Sequence, residues 1–131
     1  MEEHPNAAAV RAGMVAFLHG DDPGFAAVLA EDVVWHAPGT NRFSGRFEGK
    51  AAVLDRMRRM RAAGLGFSFE VHDVVGNDEH VIALVHLHAR NAAGQRYDQQ
   101  QVQVSHMRDR LVAEFWMMNQ DQAVLDLIVG R

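Results

Sequence analysis

His36 sits in "VVWHAPG", residues 33–39, where Val33, Val34 and Trp35 favour a pleated strand and Pro38 and Gly39 cannot continue one. A titratable ring where a strand opens into a loop occupies a usual position for a working group on a rigid scaffold. An imidazole with an unperturbed pKa of about 6.5 can take or give a proton near neutrality. His36 is therefore the candidate catalytic residue. The competing reading is a strand-end histidine that is solvated or hydrogen-bonded locally.

A second group of histidines invites a metal. His86 and His88, in "HLH", project two rings from one strand face, with His72 and Glu70 expected across on a neighbouring strand. Two histidines at i and i+2 plus a carboxylate can form a metal triad on a barrel. The acidic residue that should follow three or four positions later is missing, because Asn91 and Ala92 stand there. No metal is expected, and these side chains read as the polar outer face of a sheet.

Other reactive patterns are weak. The chain has no cysteine, which removes disulfides, thiolate nucleophiles and Cys-ligated zinc or iron–sulfur clusters together. Ser44 and Ser105 lack a nucleophile elbow. "SGRFEG" has neither the Lys-Ser/Thr of a phosphate loop nor the dinucleotide spacing, and no cofactor signature is present. The basic run "RMRRMR", Arg56 to Arg61, is interleaved with Leu54, Met57 and Met60 and reads as a solvated helix face. With a formal net charge of −4, no nucleic-acid partner is expected, since such binding rests on neutralising phosphates.

The elements that must position these residues follow from periodicity. Asn6 can cap a helix in which Val10, Met14, Phe17 and Leu18 form one stripe, with Gly20 as its stop. Asp21 or Asp22 caps a short helix with Pro23 in its first turn, burying Phe25, Val28 and Leu29 and ending at Glu31 and Asp32. A strand over 33–37, a loop "GTNRFSGRFEG" and a third helix from about 49 to 63 come next. From Leu65 the period falls to two. "LGFSFEVHDVV", "HVIALVHLHAR", "QRYDQQQVQVSHM" and "LVAEFWMMNQ" predict four long strands joined by tight turns, an antiparallel meander. Asp121 caps a final short helix with Val124, Leu125 and Ile128. At 131 residues, without repeat or linker, the chain is one domain over 1–131 and of α+β class. The acidic start "MEEHPNAAAV" and the lack of a long apolar run predict neither signal peptide nor spanning helix, hence a soluble cytoplasmic protein without a membrane partner.

This order of elements, with Trp35, Pro38-Gly39 and a last strand reading "EFW", resembles the nuclear transport factor two-like superfamily. The SnoaL-type polyketide cyclases and the ketosteroid isomerases are its nearest branches. The resemblance covers almost the whole chain and implies a cone-shaped, curved antiparallel sheet with helices on its concave face, a cystatin-like α+β barrel. In "AFLHGDDPGFAAVLAEDVVWHAP" the isomerase family's aspartate base would fall at Ala37, its oxyanion-binding tyrosine near Gly13 and its protonated aspartate at about Gln101. The aspartate of the cyclase branch would fall at Met117. Neither activity is therefore inferred from the family alone.

Within that fold, Gln101, Gln103 and Ser105 share one strand face, and Phe115, Met117 and Asn119 share one face of the next. The resemblance makes these the pocket-facing sets, giving a cavity walled by Trp35, Phe67, Phe69, Phe115 and Met117. Gln101, Gln103 and Asn119 are the expected oxygen-binding groups. Tyr97 shares their parity only if no bulge intervenes. Such a pocket suits an apolar molecule bearing one or two oxygens and calls for no cofactor. Two functions follow: an acid–base enzyme of isomerase, cyclase or dehydratase type using His36, or a non-catalytic dimeric protein that binds a hydrophobic metabolite. The resemblance implies a homodimer through the outer sheet face, where His72, His86, His88, Glu70, Glu114 and Trp116 are interface candidates.

Overall fold

The computed structural model describes residues 2–131. Four helices and six strands follow in the order α1 (Pro5–Leu18), α2 (Asp22–Ala26), β1 (Leu29–Ala37), β2 (Gly45–Glu48), α3 (Lys50–Ala62), β3 (Gly66–Gly76), β4 (His80–Arg90), β5 (Arg96–Arg108), β6 (Leu111–Asn119) and α4 (Gln122–Val129). The architecture is mixed α+β, as the alternation of periods predicts. All six strands form one sheet in the order β2-β1-β6-β5-β4-β3. Helix α1 packs on β3 and β4, α3 on β1 and β2, and α4 on β4 and β5. The core lies between these helices and one sheet face. Among the described residues, no helix is long and apolar enough to cross a membrane.

The meander of β3 to β6 is antiparallel throughout. The sheet as a whole is not, because β1 pairs parallel with β6, placing Trp35 beside Phe115 and His36 beside Trp116. The segment 45–48, expected as loop, is a strand antiparallel to β1, with Phe47 beside Trp35. Its four residues are too few to show an alternation, and their glycine and charges hide a strand made by pairing rather than propensity. Strand β1 also starts at Leu29, four residues early, because α2 ends at Ala26. The sheet does not close: β2 and β3 are its two edges.

The helix starts follow capping chemistry, with one change. Asp21 accepts from Gly24 N at 2.9 Å and Asp121 from Val124 N at 3.1 Å, satisfying N–H groups with no partner in the first turn. Helix α1 is capped by His4, whose ring accepts from Asn6 N at 3.0 Å, and not by Asn6. Asn6 instead donates to Asn77 O and Asp78 O at 3.0 and 3.2 Å, tying α1 to the β3–β4 turn.

Candidate functional site

Alternation along the curved sheet sorts every side chain to one of two faces. Trp35 and Ala37 of β1, Phe67 and Phe69 of β3, Leu87 of β4, Gln101, Gln103 and Ser105 of β5, and Phe115, Met117 and Asn119 of β6 all turn to the concave side. With Gly13, Met14 and Phe17 of α1 and Arg56, Met57 and Met60 of α3, they enclose a cavity of about 130 Å³. Its wall is aromatic. The Trp35 ring stacks on Phe115 with centroids 3.8 Å apart, Phe25 meets Trp35 edge-on at 5.8 Å, and Phe17 stacks on Phe69 at 5.7 Å. A space of that size, between flat rings, admits one ring with short substituents.

All eight residues expected to line a pocket therefore border this one: Trp35, Phe67, Phe69, Gln101, Gln103, Phe115, Met117 and Asn119. His36 does not. It follows Trp35 on a strand that continues through Ala37, so it points to the opposite face, where its Nε2 lies 2.6 Å from Glu114 Oε2 and its ring stacks on Trp116 at 5.1 Å. His36 and Gln103 therefore lie on opposite faces, and an acid–base reading that joins His36 to the amides loses its geometry. Among the residues bordering the cavity there is no histidine, aspartate or glutamate. Gly13 and Ala37, the positions of the isomerase-type donor and base, both border it without a functional group. A Cβ on Gly13 would come within 2.5 Å of Val28 Cγ2, so this wall has no room for a side chain there.

The cavity's polar groups form an ordered chain. Gln103 Nε2 donates to Gln101 Oε1 at 2.9 Å, Gln101 Nε2 to Asn119 Oδ1 at 2.7 Å, and Asn119 Nδ2 to Gln122 Oε1 at 2.8 Å. Gln122 Nε2 then donates to Asp126 Oδ1 at 2.9 Å. A carboxylate only accepts, so Gln122 must present its amino group there, and that choice orients each amide back along the row. The chain leaves Gln103 Oε1 at its head, with no donor among the described residues.

Asp126 is the knot of this end of the cavity. It also accepts from Asn41 Nδ2 at 2.8 Å, Thr40 N at 3.1 Å and Thr40 Oγ1 at 3.3 Å. Burial pushes its carboxyl up, but the hydrogen bonds from Gln122, Asn41 and Thr40 outweigh that and hold it below the ordinary value. Gly39, at φ 93°, makes the turn that lets this loop close on it, since a Cβ there would lie 2.2 Å from Asp126 Oδ1.

Two residues at the cavity escape sequence reading. Arg56, expected on a solvated helix face, borders the cavity; its Nε donates to Phe43 O at 3.0 Å and its guanidinium lies over the Phe47 ring at 5.3 Å. Burial, then the charge of Arg59, lowers its pKa to about 10. Trp35 was expected as an apolar wall, yet its Nε1–H is buried with no partner among the described residues. Helical phase could have flagged Arg56, which lies three positions after Val53 and four before Met60, both buried. Gln99 Nε2 is the other buried unpaired group; its Oε1 accepts from Asp121 N at 2.7 Å, away from the cavity.

On the convex face, His86, His88 and Asp98 bring ligand atoms within 4.8 Å of one another, a set that could hold a metal ion. The carboxylate of this set is Asp98 of β5, not Glu70 of β3, and His72, in a bulge of β3 with its ring 6.5 Å from that of His86, is not part of it. Both nitrogens of His88 are already engaged, Nδ1 by Asp98 at 2.9 Å and Nε2 by Glu70 at 3.1 Å. These hydrogen bonds, Asp98's before Glu70's, raise the pKa of His88.

The SnoaL-like domain family matches residues 10–115. No curated protein matches the sequence. Among solved structures, an NTF2-like protein of unknown function from Burkholderia pseudomallei superposes with a TM-score of 0.88 at 20 % identity, covering 98 % of this chain and 99 % of that one. Bal32a, from a soil-derived mobile gene cassette, gives 0.87 at 26 % identity over 95 % and 96 %. TerC, co-crystallized with polyporic acid, gives 0.86 at 18 % identity over 96 % and 98 %.

Proposed function

The chain belongs to the SnoaL-like domain family, and we propose that it is a small-molecule binding protein whose pocket takes a flat apolar molecule carrying one or two oxygens. The observation that carries this reading is the pairing of an aromatic cavity with a row of amides in place of ionisable acid–base groups. Stacked rings give shape selection, and Gln103 Oε1 gives one directional hydrogen bond. Asp126, with four donors on its carboxylate, is a poor base and serves to orient the amides. A SnoaL-like isomerase or cyclase with this wall would have to move its proton without a base at Ala37 and without a side-chain oxyanion donor at Gly13.

The reading includes a second copy of the chain over the convex face. Ile82, Val104 and Trp116 lie side by side across three strands, with Leu84, Val102 and Met118 as the next row. Leu84 and Met118 are 45 % and 51 % exposed. A contiguous apolar patch of this kind is what a partner surface removes from water.

Native mass spectrometry of untagged protein tests both parts. The expected result is a dimer carrying an apolar oxygenated compound that dissociates on denaturation. Conversion of that compound on incubation would move the assignment to an enzyme. A bare monomer that also fails to bind aromatic ligands overturns the reading.

A further inference from the structure

Two hydrogen-bond donors bordering the cavity lack an acceptor among the described residues. Trp35 is only 9 % exposed, and its Nε1–H meets no acceptor among the described residues. Arg56 is half-buried. Of the arginines on α3, Arg59 pairs with Asp55 at 2.9 Å and Arg61 with Asp22 at 2.6 Å, whereas Arg56 pairs with no carboxylate among the described residues. Its Nε is spent on Phe43 O, and its Nη groups have no acceptor among the described residues. The two donors belong to one side of the cavity: Phe47, under the Arg56 guanidinium, is the register partner of Trp35.

A guanidinium taken partly out of water without a counter-charge is a costly arrangement in an otherwise apolar wall. Among the described residues, Arg56 is also the single ionisable side chain bordering the cavity. Its fork of N–H groups matches a planar two-oxygen anion. Building on the pocket reading above, we propose that the occupant is an organic acid, an apolar ring system whose anionic oxygen or carboxylate is held by Arg56 and Trp35 Nε1–H. A neutral oxygen could accept from either donor but would leave the guanidinium charge without a counter-charge. The lowered pKa of Arg56 agrees: the group remains charged at neutral pH but lacks the partner that would hold it higher. The head of the amide chain, Gln103 Oε1, accepts from a hydroxyl or N–H elsewhere on the same molecule.

Ligand-observed NMR and calorimetry at pH 7 with benzoate, trans-cinnamate and 2-naphthoate, each beside its primary amide, test this without needing the natural ligand. The acid and amide of each pair share shape and differ in charge. The expected result is that at least one acid binds tenfold or more tighter than its amide, as about 1.4 kcal/mol of charge-assisted hydrogen bonding would give. Arg56→Met should erase that preference, bringing acid and amide to equal affinity, and Arg56→Lys should keep part of it. Should Arg56→Met fail to fold, the acid-to-amide ratio of the unmodified protein still decides. Equal binding of acids and amides overturns the anion proposal and leaves the pocket reading standing. Binding of neither class overturns both.

Discussion

The two faces of the sheet carry opposite chemistry, and the face with the more reactive-looking residues is the wrong one for the cavity. The convex side gathers His36, Glu114, His86, His88, Asp98 and Glu70, and each ring there has a partner: His36 with Glu114, His86 with Gln100 at 3.0 Å, His88 with two carboxylates. His80 and His106 stack at 5.1 Å. The concave side offers amides, aromatic rings and one arginine, yet there, among the described residues, Trp35 Nε1 has no acceptor and Arg56 has no carboxylate partner. Titratable groups that satisfy one another in solvent have little left to offer a ligand. An unanswered donor in an apolar wall does, because its desolvation is offset only by an occupant.

Phe115 and Trp116 are neighbours on β6 with opposite orientations, so they sharpen the contrast most. Phe115→Ala removes the ring stacked on Trp35 and should destabilise the fold by about 3 kcal/mol, the low end for a core aromatic because one side already meets the cavity. Trp116→Ala should leave the chain folded, with a loss under about 1 kcal/mol, and should shift the native mass toward monomer. Denaturant unfolding of both variants checks this, and equal losses would erase the distinction between the faces.

Next in size is the anchor of the amide chain. Asp126→Asn keeps the shape but removes the charge that orients Gln122, Asn119, Gln101 and Gln103 in turn. The expected cost is about 1–2 kcal/mol at pH 7, discounted from the usual value for charged hydrogen bonds because the carboxylate is partly exposed. The folded pKa of Asp126 lies below its ordinary 3.8, so its contribution is complete above pH 3.8 and is lost as pH falls through the folded value. The gap in stability between wild type and variant should close on acidification. A gap that persists unchanged at low pH would mean the amides hold their orientation without the charge.

Much of the architecture was legible because long strands and capped helices write their period into the chain. The two faces of β5 and β6 follow from alternation alone, which is why Gln101, Gln103, Phe115, Met117 and Asn119 stand at the cavity. Strand β2 was hidden by its four residues, and the parallel pairing of β1 with β6 leaves no local mark, since it joins segments about eighty residues apart. His36 is misplaced when it is taken as the point where the strand opens into the loop, although the strand expected over 33–37 runs one residue past it. Extending the strand through Ala37, with Trp35 inward, puts His36 outward by parity. Arg56 is hidden by its neighbours, because an arginine run looks like a solvated face; its phase with Val53 and Met60 points it inward, and only packing reveals that it has no carboxylate there.

His36→Ala tests the same division from the polar side. Its contact with Glu114 is a half-exposed pair, so the loss should stay under about 1 kcal/mol, and the acid-to-amide preference of the cavity should be untouched. A tenfold loss of cinnamate binding in this variant would break the separation of the faces.

The smallest effect is a titration. His88 lies between Asp98 and Glu70, whose hydrogen bonds raise its pKa above the ordinary 6.5 despite a small opposing effect of desolvation. A histidine whose folded pKa is raised contributes stability that is fully present below 6.5 and is lost as pH rises through the folded value. In an NMR titration the His88 ring should therefore have its midpoint above 6.5. Asp98→Asn should lower that midpoint more than Glu70→Gln does, because Asp98 makes the larger contribution. Neither variant should change ligand binding, for the charge that His88 gains is answered on its own face. A midpoint indifferent to both substitutions would mean that these convex-face pairs are crossings of side chains in solvent, and that the quiet of this face comes from water and not from mutual satisfaction.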